Sequence, residues 1–211
     1  MPDITYEREA AKAVRSDLIA GIDEAGRGAL AGPVYAAAVI LPIQTPHLIK
    51  KLEQVNDSKQ LKAKKREAFF ELIVIHAVAW GIGFAPAHEI DEIGIVPATK
   101  KAMMSAVQQL ARQPAYLLID GRIKLEDLPI DQQSIIRGDG KSLSIAAASI
   151  LAKVSRDKMM VKAGHHWPDY QFENHKGYGT RLHREKIKAL GGTSIHRKSF
   201  APLRDQIEET K

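Results

Sequence analysis

The 211-residue chain contains no cysteine. Disulfides, thiolate metal sites and cysteine nucleophiles are therefore excluded. Long hydrophobic runs are missing as well. The longest apolar-leaning stretch, Ala31 to Ile43, carries two prolines and is too short to cross a bilayer as a helix. The opening segment MPDITYEREAAKAVRSD is charged throughout and lacks the apolar core of a secretion signal. No repeat period is visible, and no segment is of low complexity. What remains is the expectation of a cytoplasmic chain with no membrane partner. Hydrophobic residues at 45% and charged residues at 27% disfavour disorder, collagen and coiled coil. The length suits one large domain, or a domain with a small appendage.

Charge is the first informative presence. The formal net charge is +6, and residues 153–211 carry all of it, with 13 basic and 7 acidic side chains. Five of the eight histidines (His165, His166, His175, His183, His196) lie in the same stretch. A neutral body with a basic C-terminal quarter points to a polyanionic partner, nucleic acid first, or else to a basic solvated surface with no partner.

Apolar patterning predicts strands over Leu18–Asp23 and Pro33–Leu41, able to pair as a hairpin across a glycine-rich turn. It predicts a helix over Lys62–Val74, a strand over Ala77–Phe84, and a helix opened by Pro97 with Met103, Val107 and Leu110 inside. Gln113-Pro114 breaks that helix. Short strands follow at Tyr116–Ile119 and Ser134–Arg137. The stripe Leu143, Ala146, Ala147, Ile150, Leu151, Val154 marks the clearest amphipathic helix. Past Gly164 the chain turns polar and basic, with short helices at Arg181–Leu190 and near the C-terminus. The fold class is a mixed-sheet α/β domain followed by a helical, basic extension.

The apolar strands stop at carboxylates. The first ends in Asp23-Glu24, another in Asp120, and a third is followed two residues later by Asp139. Groups at the carboxyl ends of neighbouring strands share one crevice in open α/β sheets. Carboxylates gathered there repel one another unless a hard cation sits between them, and Mg²⁺ or Mn²⁺ prefers such oxygen ligands. Two such ions can activate water and stabilise the leaving oxygen of a phosphoryl displacement. Asp120-Gly121 also has a plainer reading as a turn, and Asp23 and Glu24 as caps of the element that follows. Arg137-Gly138-Asp139 matches a cell-attachment tripeptide, which a cysteine-free chain without a secretion signal makes a poor fit. Asp157 falls beside the apolar helix stripe, where pairing with a neighbouring Arg or capping is expected rather than metal binding.

Gly26-Arg27-Gly28 falls short of a dinucleotide fingerprint. It directly follows the carboxylate pair, however, and glycines let backbone N–H groups approach a sugar or phosphate. In Asn174–Thr180, glycines flank Tyr178 within a basic loop. Its ring could stack on a base or sugar, or simply pack beneath the loop.

Taken in order, DEAGRG (Asp23–Gly28), AGPVYAAAVIL (Ala31–Leu41), NDSKQL (Asn56–Leu61), HEIDEIGI (His88–Ile95), LLIDG (Leu117–Gly121), RGD (Arg137–Asp139), SIAAASILAKVSRD (Ser144–Asp157), HKGYGT (His175–Thr180) and HRKSF (His196–Phe200) resemble the ribonuclease HII family. The resemblance implies a ribonuclease H-like fold: a five-stranded mixed sheet flanked by helices, with a C-terminal helical extension. It implies a catalytic domain over residues 1–163 and a basic segment over 164–211 packed on it. The implied activity is hydrolysis of RNA in RNA–DNA hybrids and nicking 5′ of single ribonucleotides embedded in duplex DNA. Two-metal catalysis with Mn²⁺ or Mg²⁺ would leave a 5′-phosphate and a 3′-OH. By the family's pattern, the catalytic and metal-binding residues are Asp23, Glu24, Asp120 and Asp139. Gly26, Arg27 and Gly28 would read the 2′-OH that distinguishes RNA from DNA, and Tyr178 would pack on the next deoxyribose. Ser58, Lys59 and Lys176 look like phosphate contacts. No motif names a protein partner.

Small departures from the pattern are Ala29 for Pro, Arg137 for Lys, and Gly191-Gly192-Thr193 for Gly-Pro. A non-catalytic hybrid-binding module is the alternative from another class, which a missing carboxylate would have favoured. Ribonuclease HIII shares the acids but usually carries an N-terminal platform, which is not expected here with 17 residues before Leu18. A flavodoxin-like phosphate loop should open directly into a helix, which Gly26–Gly28 does not.

Overall fold

A computed structural model describes residues 2–52 and 63–208. In chain order the elements are α1 (Thr5–Val14), β1 (Ile19–Ala25), β2 (Val34–Ile40), α2 (Pro46–Leu52), α3 (Ala63–His76), β3 (Ala79–Ala85), α4 (Ala87–Ile93) and α5 (Ile95–Gln108). There follow β4 (Tyr116–Asp120), β5 (Asp131–Ile135), α6 (Leu143–His166), α7 (Phe172–His175), α8 (Arg181–Leu190) and α9 (Leu203–Glu208). The strands form one sheet in the order β3-β2-β1-β4-β5. Strands β1, β2 and β3 are joined antiparallel, whereas β4 and β5 add parallel to β1, making the expected mixed five-stranded sheet.

Side chains alternate across a strand, and the two faces of this sheet are divided accordingly. Ala20 and Ile22 of β1, Ala36 and Ala38 of β2, and Leu117 and Ile119 of β4 pack with Ala98, Ala102 and Met103 of α5. The opposite face, carrying Ala37 and Val39 of β2, packs on Ala147, Ile150 and Leu151 of α6. On that same face Ile19, Leu118 and Ile135 meet Ile145. All six residues of the predicted α6 stripe are buried, and so is every residue from Leu143 to Ala152, because α6 is covered on several sides. Gly21 allows this close approach: a Cβ there would lie 2.2 Å from the Ser144 carbonyl carbon and 2.3 Å from the Ile145 nitrogen.

Two features differ from expectation. The last strand is Asp131–Ile135 rather than Ser134–Arg137, because β5 is an edge strand fixed by backbone pairing with β4 and needs little apolar content. Arg137 turns the chain out of the strand with a left-handed φ of 55°, and Asp139 sits in the 3₁₀ turn Gly138–Gly140. Helices α1, α2, α4 and α7 were not anticipated. α1 packs Ala10, Tyr6 and Val14 against Ile19, Leu118 and Ile145. Its Glu7 is tied to the start of α6, the buried Oε1 accepting from the Ser142 hydroxyl (2.6 Å), the Ser144 hydroxyl (2.6 Å) and the Ser144 N–H (2.8 Å).

The C-terminal elements form a smaller apolar cluster with α6. Tyr170, Phe172, Ile187 and Leu203 close over Met160, Ala163, Leu30 and Ala31. This cluster holds the segment after β1 against the C-terminal loops. Among the described residues, no helix is long and apolar enough to cross a membrane.

Candidate active site

Strands β1 and β4 run parallel, with Ile22 opposite Ile119. Asp23 and Asp120 are therefore the next residues of adjoining strands. By the alternation of side chains, both point to the α6 face. Asp23 is 3% exposed, and its Oδ1 accepts the Glu24 N–H at 2.7 Å. Asp120 Oδ1 accepts the Gly138 N–H at 2.6 Å, which ties the end of β4 to the turn carrying Asp139. Glu24 faces Arg27, with Oε1 3.5 Å from Nη1. The charges of Glu24, Asp120 and Asp139 all act on Asp23.

Their mutual field is strongest at Asp23. Burial pushes its carboxyl well above the usual range, and the negative charges of Glu24, Asp120 and Asp139 push the same way against the Glu24 hydrogen bond. Like charges held near a buried carboxyl favour a bound cation, and an all-oxygen donor set suits a hard divalent ion. Among the described residues, no three acidic or histidine side chains stand ready as a metal cage. One oxygen of Asp120 is engaged by Gly138, and one oxygen of Glu24 faces Arg27.

A cleft of about 550 Å³ opens beside Asp23 and Glu24. Gly26, Arg27, Gly28 and Tyr178 line it, as do Arg66, Ser149 and Lys153. The glycine-rich loop and the tyrosine therefore share one cavity with the first two acids. Lys153 Nζ lies 5.2 Å from the Tyr178 ring centroid, and the Arg156 Cζ lies 5.1 Å from it. Asp157 pairs with Lys153 (2.7 Å) and Arg66 (3.8 Å), as expected of a helix-borne carboxylate, and holds both cations at the cleft. Lys176 lies elsewhere: it lines an adjoining groove with Lys158 and Lys162 that meets the cleft at Arg66. Ser58 and Lys59 lie outside the described residues.

Sequence reasoning did not single out Arg66, Lys153, Arg156 or Arg197. Lys153 and Arg156 lie within SIAAASILAKVSRD and Arg197 within HRKSF, so the motifs signalled them without giving them roles. Both Arg156 and Arg197 are fully buried. Arg156 donates to the carbonyls of Pro33 (3.0 Å), Ala31 (3.0 Å) and Lys176 (2.9 Å). Burial and the neighbouring Arg156 charge lower Arg197 to about 9, so it remains a cation at neutral pH.

The sheet order, with acids gathered where β1 and β4 end side by side, is that of a ribonuclease H-like nuclease. Comparison narrows the class. A sequence model of the family described as Ribonuclease HII matches residues 20–203. The ribonuclease HII of Bacillus pumilus (strain SAFR-032) is 54% identical over 197 residues, covering 93% of this chain and 75% of that protein. That of Bacillus cereus (strain Q1) is 53% identical over 193 residues, covering 90% and 72%. Among solved structures, ribonuclease H2 from Pyrococcus horikoshii OT3 superposes with a TM-score of 0.75 at 23% identity, covering 90% of this chain and 97% of that one. The RNase HII of a PCNA complex from Archaeoglobus fulgidus gives 0.72 at 26% identity, covering 85% and 93%. Bst-RNase HIII in complex with Mn²⁺ gives 0.67 at 18% identity, covering 97% and 81%. The chain belongs to the ribonuclease HII family, metal-dependent endonucleases that act on RNA–DNA hybrids.

Proposed function

We propose that this enzyme nicks 5′ of a single ribonucleotide embedded in duplex DNA as well as cutting longer RNA–DNA hybrids. The observation that carries this reading is the shared cleft: Asp23 and Glu24 line the same cavity as Gly26, Arg27, Gly28 and Tyr178. A group that senses one 2′-OH must sit within a nucleotide of the scissile phosphate, and a common cavity satisfies that requirement.

In this reading Asp23, Glu24, Asp120 and Asp139 hold two divalent ions, Mn²⁺ or Mg²⁺. Such ions would supply an activated water and charge stabilisation at the leaving oxygen. The chain's own task is positioning, which dominates phosphoryl transfer. The Gly26–Gly28 loop contacts the ribose, and Tyr178 packs on the neighbouring deoxyribose. Lys153 and Arg66, steadied by Asp157, neutralise phosphate charge at the cleft. The duplex backbone runs on along the groove of Lys158, Lys162 and Lys176. Residues 1–163 carry the chemistry in this scheme, and 164–211 form the basic segment that closes on it. A cytoplasmic location accompanies a substrate of this kind.

Asp139→Asn tests the assignment. It removes one charge and keeps the shape, so the variant should bind an RNA–DNA hybrid with near wild-type affinity and lose at least about a hundredfold in turnover. Cleavage at a near wild-type rate would remove Asp139 from the ligand set.

A further inference from the structure

The loop proposed to read the ribose is anchored from behind by one side chain. Arg197 Nη2 donates to the Gly26 carbonyl at 2.7 Å, Nη1 to the Arg27 carbonyl at 2.8 Å, and Nε to the Gly32 carbonyl at 3.0 Å. One planar guanidinium thus holds two successive carbonyls of the loop on its buried side. The peptides that follow Gly26 and Arg27 are trans. In a trans peptide the N–H points opposite to the C=O. The N–H groups of Arg27 and Gly28 are therefore turned away from Arg197, and both residues line the cleft. Among the described residues, neither N–H donates to a backbone carbonyl. A Cβ placed on Gly28 would meet no atom within 4 Å, so the approach from outside is open.

The anchor is itself fixed. The Arg197 N–H donates to the Leu30 carbonyl at 2.9 Å. The next two residues are clamped by Asp91 of α4, which accepts the N–H groups of Lys198 (2.9 Å) and Ser199 (2.8 Å) and the Ser199 hydroxyl (2.6 Å). His196, on the other side, is buried against His183 at 3.0 Å. Gly26 completes the arrangement. Its φ is +89°, and a Cβ would fall 1.8 Å from Arg156 Nε, so the loop lies flat on the pair of buried arginines. A solvated or phosphate-gripping arginine would have none of these ties.

We propose that Arg197 is a positioning residue for substrate specificity: by gripping the carbonyls of Gly26 and Arg27 it presents the N–H groups of Arg27 and Gly28 as fixed donors to a single 2′-hydroxyl. The proposal rests on the reading of Gly26–Gly28 as the ribose sensor. It assigns discrimination between RNA and DNA to a residue that touches neither.

The test is equilibrium binding in EDTA, where no turnover occurs, to two duplexes identical except for one 2′-OH. Arg197→Lys keeps the charge but replaces a planar fork with a point donor, and Arg197→Gln removes the charge as well. The wild-type chain should prefer the ribonucleotide duplex by about tenfold, the worth of one or two well-aligned hydrogen bonds. Both variants should bind the two duplexes within about twofold of each other, with all-DNA affinity unchanged. Retention of the wild-type preference in both variants overturns the proposal. So does a parallel loss of affinity for both duplexes, or failure of both variants to give a cooperative melt, since either makes Arg197 only a structural pin. If the wild-type chain itself shows no preference, the ribose-sensor reading fails first, and the role of Arg197 falls with it.

Discussion

The buried histidines of the C-terminal segment make the enzyme's stability depend on pH in a calculable way. The Thr193 N–H donates to His196 Nδ1 at 2.8 Å, so the His196 proton resides on Nε2. That proton meets His183 Nε2 at 3.0 Å, which must accept it. His183 is then protonated on Nδ1, which donates to the Tyr178 carbonyl at 3.0 Å. His175 stacks on His183 at 4.2 Å and donates from Nε2 to the Tyr170 carbonyl. Every ring is neutral, and the chain ends on the backbone of Tyr178 at the cleft. Burial, followed by the repulsion of neighbouring imidazoles, lowers His183 to about 4 and His196 to about 4. Their folded values lie below the ordinary 6.5, so the fold binds fewer protons than the unfolded chain. Their stabilising effect is complete above about pH 6.5 and is lost as the pH falls toward 4. At pH 5 one such group costs the fold about 2 kcal/mol, and the pair, coupled through one hydrogen bond, between about 2 and 4 kcal/mol. Asp23 acts in the opposite sense, because its raised value returns stability as the pH falls. Asp23→Asn removes that opposition. In this background, urea unfolding should show stability falling by at least about 2 kcal/mol from pH 7.5 to pH 5. Nitrogen-15 spectra should show Nδ1–H for His183 and Nε2–H for His196. A flat stability profile, or imidazoles titrating near 6.5, would refute the reasoning.

Two further predictions concern packing and substrate grip. Gly21→Ala drives a Cβ into the backbone of α6 and should cost about 3 kcal/mol or more in urea unfolding, whereas Gly140→Ala, with open space around it, should cost less than about 1 kcal/mol; equal effects would disprove the close β1–α6 approach. Hybrid binding should weaken by more than about tenfold between about 50 and 200 mM salt, and Lys158→Gln with Lys162→Gln should flatten the logarithmic slope by about 2. An unchanged slope would take those two lysines off the duplex track.

The hairpin, β4, α5 and α6 were legible because each carries a local apolar period. α1 was not, since Glu7 finds its partners at Ser142 and Ser144, far along the chain, and nothing in a polar ten-residue helix announces that contact. β5 was displaced in the reading because DQQSI is held by pairing with β4 rather than by burial of its side chains. At the site, the four acids and the Gly26–Gly28 and Tyr178 loops follow from motifs whose order along the chain is distinctive. The cations were harder. Charge counting treated the C-terminal quarter as a surface for a polyanion, yet Arg156, Arg197, His175, His183 and His196 are buried there. Composition reports how many charges a segment has, and only the packed structure tells which of them face carbonyls instead of phosphates.

The central claim, that the acids and the ribose-reading loop serve one reaction, is tested most directly on a DNA duplex carrying a single ribonucleotide. It would be incubated with Mg²⁺, with Mn²⁺ or with EDTA, beside an all-DNA control. The account predicts a metal-dependent nick 5′ of the ribonucleotide, leaving a 5′-phosphate and a 3′-OH, with the control intact. Binding without cleavage in either metal, or cutting of both duplexes alike, would contradict it.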